Sequence, residues 1–329
     1  MGEPGGGGSG PGPGSGPGLG VRQPGPRDFR TRVIAAVERA GPLCAGIDPS
    51  EQLMARWGLP DDASGMREFA FRCIEAFDGV VPVLKFQVAF FERHGAAGLR
   101  VLEEAITSAR SAGSIVIADA KRSDIGSTVA AYASAWLAPD STLRSDAVTV
   151  VPYFGLEALG PVCDLARAVG AGVFVVVRSS NPGGRWLQTA LVPDAAAASG
   201  VTGAGAPDIG AAAPAEGAKT VEDTLLAAIA DLNAASGGVG HVGAVVGATL
   251  TPSAFPLASL GGIVLTPGYG AQGGTASGLA RLFADCDPGT VLANVSRSLL
   301  DGGPEVGSLR SHADRLRQEI ADALRPSSP

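Results

Sequence analysis

Asp119-Ala120-Lys121-Arg122-Ser123-Asp124-Ile125-Gly126-Ser127 directly follows an apolar run, Ser114 to Ala118. That run has the length and composition of a buried strand. Asp119, Lys121 and Asp124 therefore fall at the strand's C-terminal end and in the loop beyond it. In a β/α barrel this is the end where chemistry is assembled. A lysine set between two carboxylates is costly unless its charge is paired or used.

Working outward, the same strand-then-helix rhythm repeats. Phe29 to Arg39 reads as an amphipathic helix closed near Gly41-Pro42, and Leu43 to Ile47 as a strand ending at Asp48-Pro49. Further strands are predicted over Val80 to Phe86, Ala147 to Val151, Gly172 to Val177, Val242 to Val246, Gly262 to Leu265 and Thr290 to Val295. Helical spacing covers Met66 to Phe77, Gly98 to Ser111, Gly155 to Ala168, Val221 to Ala235 and Ser308 to Leu324. Eight strands alternating with helices predict a (β/α)8 TIM barrel, class α/β. A doubly wound sheet is the rival, but the first strand leads into Asp48-Pro49 and not into a GxGxxG turn.

Two segments break the pattern. Residues 1–27 contain 12 glycines and 6 prolines with no apolar core of a signal peptide, so a mobile tail is expected. Residues 187–220 are rich in Ala and Gly and too long for an ordinary connection, so an insertion after the fifth strand is expected, helical around Leu187 to Ala198. A mobile cover over ligand and a passive surface insertion both fit it. The remainder, 28–329, is read as a single barrel domain.

The 329 residues are 45% hydrophobic, which supplies a sizeable core, and the formal charge is −7. An acidic chain of this kind argues against a general nucleic-acid binder but allows a local basic pocket for a phosphorylated ligand. No apolar run is long enough for a membrane span. Cys44, Cys73, Cys163 and Cys286 lack CxxC spacing, and His94, His241 and His312 are equally scattered, so neither set suggests a metal or redox centre.

Asp48 and Lys85 end the two strands before Asp119. The series Asp48, Lys85, Asp119, Lys121, Asp124 alternates in sign, and each lysine is stabilised as a cation by its neighbours. Such a lysine suits hydrogen bonding or proton donation better than attack as a free amine. Solvated surface pairs are the plain alternative, a poor fit for five charges at the ends of three consecutive strands. Gln272, in the glycine-rich loop after the seventh strand, and Arg297, after the eighth, occupy the places where barrels often hold phosphate; a structural turn is the alternative. Ser180, before Asn181-Pro182-Gly183, could read a polar ligand edge or cap a helix. Tyr153 and Tyr269 fit either a ligand wall or packing.

The ordered combination Gly46-Ile47-Asp48-Pro49, Lys85, Asp119-x-Lys121-x-x-Asp124-x-x-x-Thr128, Ser180-Asn181-Pro182-Gly183, Pro267-Gly268-x-Gly270-Ala271-Gln272-Gly273-Gly274 and Ser296-Arg297-Ser298 resembles the orotidine 5'-phosphate decarboxylase family, in its longer bacterial branch, from about Leu43 to Leu299. The resemblance implies cofactor-free and metal-free conversion of orotidine 5'-monophosphate to UMP and CO2 in pyrimidine biosynthesis by a cytoplasmic homodimer. It implies that Lys121 protonates C6, that Asp119 holds Lys121 near the substrate carboxylate, and that Lys85 bridges Asp119 and the ribose region. Asp48 would bind ribose hydroxyls, Ser180 the pyrimidine edge, and Gln272 and Arg297 the 5'-phosphate. Asp124 and Thr128 would reach the neighbouring subunit's site. Ser296 departs from the glycine common near the phosphate. The competing functions are a magnesium-dependent sugar-phosphate decarboxylase or synthase, and a non-catalytic nucleotide-binding protein.

Overall fold

Eight parallel strands close on themselves in chain order: β1 Leu43–Ile47, β2 Val83–Gln87, β3 Ile115–Arg122, β4 Ala147–Val150, β5 Gly172–Arg178, β6 Val242–Val246, β7 Val264–Pro267 and β8 Val291–Val295. β1 pairs with β8 through Leu43↔Ala293, so the sheet leaves no edge. The computed structural model describes residues 2, 28–192, 218–252 and 255–325. The expected tail, apart from Gly2, and most of the expected insertion lie outside the described residues.

Period-two alternation sorts each strand between two apolar layers. In β1, Leu43, Ala45 and Ile47 pack into the layer between barrel and helices, while Cys44 faces the interior. The interior layer also contains Val83, Ile117, Phe174, Val245 and Leu292. The helix Phe29–Ala40 joins it through Phe29, Val33, Ala36 and Val37, and thereby plugs the N-terminal end of the barrel. Asp28 starts this helix by accepting from Thr31 N at 2.8 Å. Phe29 meets Phe174 edge-on at 5.8 Å between centroids. Burying one such ring contributes about 1.5–3 kcal/mol.

The helices Ala63–Phe77, Gly95–Ser111, Val221–Ala235 and Val306–Leu324 follow the predicted ones closely. The expected helix over Gly155 to Ala168 is divided into a 3-10 turn, Glu157–Leu159, and a helix, Gly160–Val169, where Pro161 enters the first turn. β2 starts three residues later than predicted, because Val80 and Val81 donate their N–H groups to Phe77 O and close the preceding helix. β3 is longer than predicted and carries Asp119 and Lys121 within it. Of the helix expected over Leu187 to Ala198, the described part holds a short turn, Arg185–Gln188, and then Leu191, which forms an antiparallel bridge with Thr220; the rest of that expectation lies outside the described residues. Among the described residues no helix is long and apolar enough to cross a membrane.

Candidate active site

The inward-facing row of each strand changes character toward the C-terminal mouth. Val83 gives way to Lys85, Ile117 to Asp119, Ala147 to Thr149, and Leu292 to Asn294. The polar ends of these rows and the adjoining loops line a cavity of about 300 Å³. Hydrophobic inward residues thus hold the barrel shut below, and the same alternation aims charged residues at the ligand space above.

Asp119 is the hub. Its Oδ2 accepts from Lys85 Nζ at 2.9 Å and its Oδ1 from Lys121 Nζ at 2.6 Å. Lys85 Nζ lies 3.8 Å from Asp48 Oδ1. Burial opposes ionisation of Asp119, yet the ammonium groups of Lys85 and Lys121 outweigh it and hold the carboxyl well below the usual range. Burial likewise disfavours the Lys85 cation, but Asp119 and Asp48 more than compensate, and its pKa is raised. Both groups are charged throughout the neutral range. Below them, burial pushes the Cys44 thiol up to about 12, so it is a neutral floor residue. All four cysteines are free.

Asp48 Oδ1 is buried and has no hydrogen-bond partner within the protein. Gly46, just before it, is required by close approach: a Cβ there would lie 1.9 Å from Ser296 Oγ. Ser296 thus fills space over β1 that only a glycine leaves open. Ser180 Oγ donates to Gln272 Oε1 at 2.6 Å across the mouth, and both line the cavity. Asn181, not Ser180, occupies the N-cap position of the neighbouring 3-10 turn, and makes no side-chain capping bond there. In the β7 loop, Gly270 has φ +73° and a Cβ would lie 2.3 Å from Ser298 Oγ, which brings this loop tightly against the segment carrying Arg297. Arg297 lines the cavity and, among the described residues, has no carboxylate partner.

Four of the five predicted charges therefore meet. Asp124 does not join them: its Oδ1 accepts from Ile125 N at 2.8 Å, and neither it nor Thr128 lines the cavity of this chain. Tyr269 does line it and donates to Glu319 Oε1 at 2.5 Å, whereas Tyr153 is 73% exposed and away from it. The sequence reading missed Thr149. It stands within a plain apolar run, yet its Oγ1 donates to Asp119 Oδ1 at 2.9 Å. Among the described residues no group of three or more His, Cys, Asp or Glu side chains converges as a metal site would.

A closed parallel barrel with an alternating lysine–carboxylate cluster at its C-terminal mouth defines a (β/α)8-barrel enzyme. Residues 41–311 match the orotidine 5'-phosphate decarboxylase / HUMPS family. Orotidine 5'-phosphate decarboxylase of Salinispora arenicola is 45% identical over 90% of this chain and 98% of its own, and that of Streptomyces coelicolor is 44% identical over 91% and 99%. The crystal structure of a Streptomyces avermitilis protein, 42% identical, superposes with a TM-score of 0.81 over 93% of this chain and 99% of its own. The structure of Leishmania donovani OMP decarboxylase, 27% identical, gives 0.67 over 90% and 98%. The chain belongs to the orotidine 5'-phosphate decarboxylase / HUMPS family.

Proposed function

We infer that the protein converts orotidine 5'-monophosphate to UMP and CO2 as a cofactor-independent lyase of pyrimidine biosynthesis. The observation that carries the mechanism is the continuous Asp48–Lys85–Asp119–Lys121 array on the wall of the cavity. Breaking the C6–carboxylate bond leaves its electron pair on C6. The Lys121 ammonium stabilises that pair and then donates the proton that forms C6–H, and solvent reprotonates the lysine. Asp119 accepts from Lys121 Nζ at 2.6 Å and so positions it. It also stands near the substrate carboxylate, while Lys85 holds Asp119 and Asp48 in place.

Binding groups surround this centre. Asp48, which lines the cavity, accepts from ribose hydroxyls through its carboxylate. Ser180 reads the pyrimidine edge, and its donation to Gln272 Oε1 leaves the Gln272 amide N–H groups free for the ligand. Arg297 and Gln272 hold the 5'-phosphate, remote from C6, where binding free energy can be used to close and organise the site. Asp124 and Thr128, which lie off this chain's own cavity, complete the site of a second subunit in a homodimer. The exposed Ile125, Tyr153 and Phe154 beside them give that face an apolar surface suited to a partner. Each subunit is one barrel domain, residues 28–329, and the homodimer is the active unit, working in the cytoplasm.

The test is ultraviolet-monitored turnover of orotidine 5'-monophosphate by EDTA-treated protein, with Lys121→Ala beside it. Metal-independent turnover that the substitution removes is expected. Folded protein that leaves orotidine 5'-monophosphate intact but turns over a pentulose or hexulose phosphate with magnesium overturns the assignment, as does UMP binding without any turnover.

A further inference from the structure

The β3–β4 pairing contains an irregularity directly at the reacting lysine. Ala118 pairs with Val148 and Arg122 with Val150, so Asp119, Ala120 and Lys121 together stand opposite the single residue Thr149. A bulge of this kind leaves main-chain groups without ladder partners and re-aims the side chains it carries. Lys121 has φ +46°, the only positive φ of a non-glycine residue among the described residues. The left-handed region crowds the Cβ of a lysine against its own backbone, so its surroundings must hold it there.

Thr149 supplies the missing contacts. The Lys121 N–H donates to Thr149 Oγ1 at 2.9 Å, and Thr149 Oγ1 donates to Asp119 Oδ1 at 2.9 Å. Asp119 Oδ1 in turn accepts from Lys121 Nζ at 2.6 Å. The result is a closed circuit that leaves Lys121 through its main chain and returns to it through its ammonium. Thr149 is 1% exposed, so water does not substitute for its hydroxyl. A threonine serving only as a strand residue would need one acceptor for its proton; here both capacities of one hydroxyl are committed to the same lysine and its counter-ion.

We propose that Thr149 is a positioning residue for proton delivery: its hydroxyl locks the left-handed Lys121 main chain to the Asp119 carboxylate and so sets where the ammonium stands over the cavity. This rests on the reading of Lys121 as the proton donor. Thr149→Val keeps the shape and removes both hydrogen bonds, leaving the Lys121 N–H and one Asp119 lone pair unmatched. Thr149→Ser keeps both and removes only a methyl group.

The experiment measures kcat, KM and thermal melting for the wild type and both variants with orotidine 5'-monophosphate. Thr149→Val is expected to lower kcat by roughly 10²-fold, the scale on which small misplacements of a reacting group act, with KM unchanged. Thr149→Ser is expected to return kcat close to wild type. A merely structural role would lower the melting temperature and leave kcat where it was, and that result overturns the proposal. Equal loss of kcat in Val and Ser overturns it too, since the methyl group would then be what matters. If Thr149→Val does not fold, Thr149→Ala against Thr149→Ser isolates the hydroxyl in the same way. An active wild type with an unaffected Thr149→Val sinks only this inference; an inactive wild type sinks the functional reading beneath it.

Discussion

Lys85 pairs in register with Ile117, yet its Nζ lies 2.9 Å from Asp119 Oδ2, two positions further along β3. The side chain therefore leans along its strand toward the barrel mouth and neutralises a carboxylate on the neighbouring strand. Both side chains are almost fully buried, 5% and 10% exposed. In such a place the pair is a unit, because either charge alone would be poorly solvated.

Asp119→Asn is expected to abolish turnover and to destabilise the protein as well. It removes the closer carboxylate from Lys85 and leaves Asp48, at 3.8 Å, as the remaining one. Breaking a buried pair from one side costs about 3 kcal/mol or more. Urea unfolding of the two proteins checks this, and equal midpoints with equal slopes would rule it out.

The same pair sets the direction of the pH dependence of stability. The folded pKa of Asp119 lies below its unfolded value of about 3.9, so the unfolded chain takes up the proton first. Its contribution is complete above that value and falls away as pH drops through the acid range toward the folded pKa. Lys85 has the opposite sign: its raised pKa contributes fully below the unfolded value of about 10.4 and is lost as pH rises past the folded one. Across the neutral range both contributions are constant. Denaturation followed from pH 7 down to pH 3 should show an acid loss that is smaller in Asp119→Asn.

Lys121 should trade stability for function. Lys121→Ala and Lys121→Gly are both expected to lose turnover. Glycine accepts the φ of +46° without strain, so Lys121→Gly should be more stable than Lys121→Ala by about 1 kcal/mol. Melting temperatures in the wrong order would mean that this backbone is not strained.

Arg297→Ala should weaken the phosphate end of the site. A hydrogen bond to a charged group is worth about 1.5–3 kcal/mol, or roughly 10-fold to 100-fold in kcat/KM. Gln272→Ala, which removes a neutral donor to the phosphate and no charge, should cost less than Arg297→Ala. Steady-state kinetics on both variants checks the order, and a larger effect from Gln272 would reassign the main phosphate contact.

Subunit sharing has its own signature. Lys121→Ala and Asp124→Asn should each be inactive alone. If Asp124 serves the partner's site, random reassociation places both intact residues in one site of each mixed dimer and restores about a quarter of wild-type activity. A mixture that stays inactive after confirmed subunit exchange would show that each site is built from one chain.

Much of this protein was legible in local pattern. β1 Leu43–Ile47, β6 Val242–Val246 and the helix Val221–Ala235 coincide with their predicted limits, because apolar periodicity bounded by glycine, proline or capping residues is a short-range signal. The short helices Glu51–Arg56 and Arg297–Leu300 were not legible, since four to six residues hold too little periodicity to be seen. β3 was cut short at Ala118 because Asp119 and Lys121 are poor strand formers taken alone.

The order of the charges along the chain and their placement at strand ends follow from the sequence by itself, since alternation along a strand and strand–helix rhythm depend only on near neighbours. Tertiary structure decided which charges meet. Lys85 reaches Asp119 through the β2–β3 register, Ser180 reaches Gln272 across the closed mouth, and Thr149 answers three residues of β3 through a bulge. Asp124, by contrast, is carried away from the cavity by the turn after β3. Contacts between residues 30 to 92 positions apart are set by how strands pair and by closure of the barrel. No window of local sequence contains both partners, so no local pattern could have identified Thr149 as the residue that ties Lys121 to Asp119.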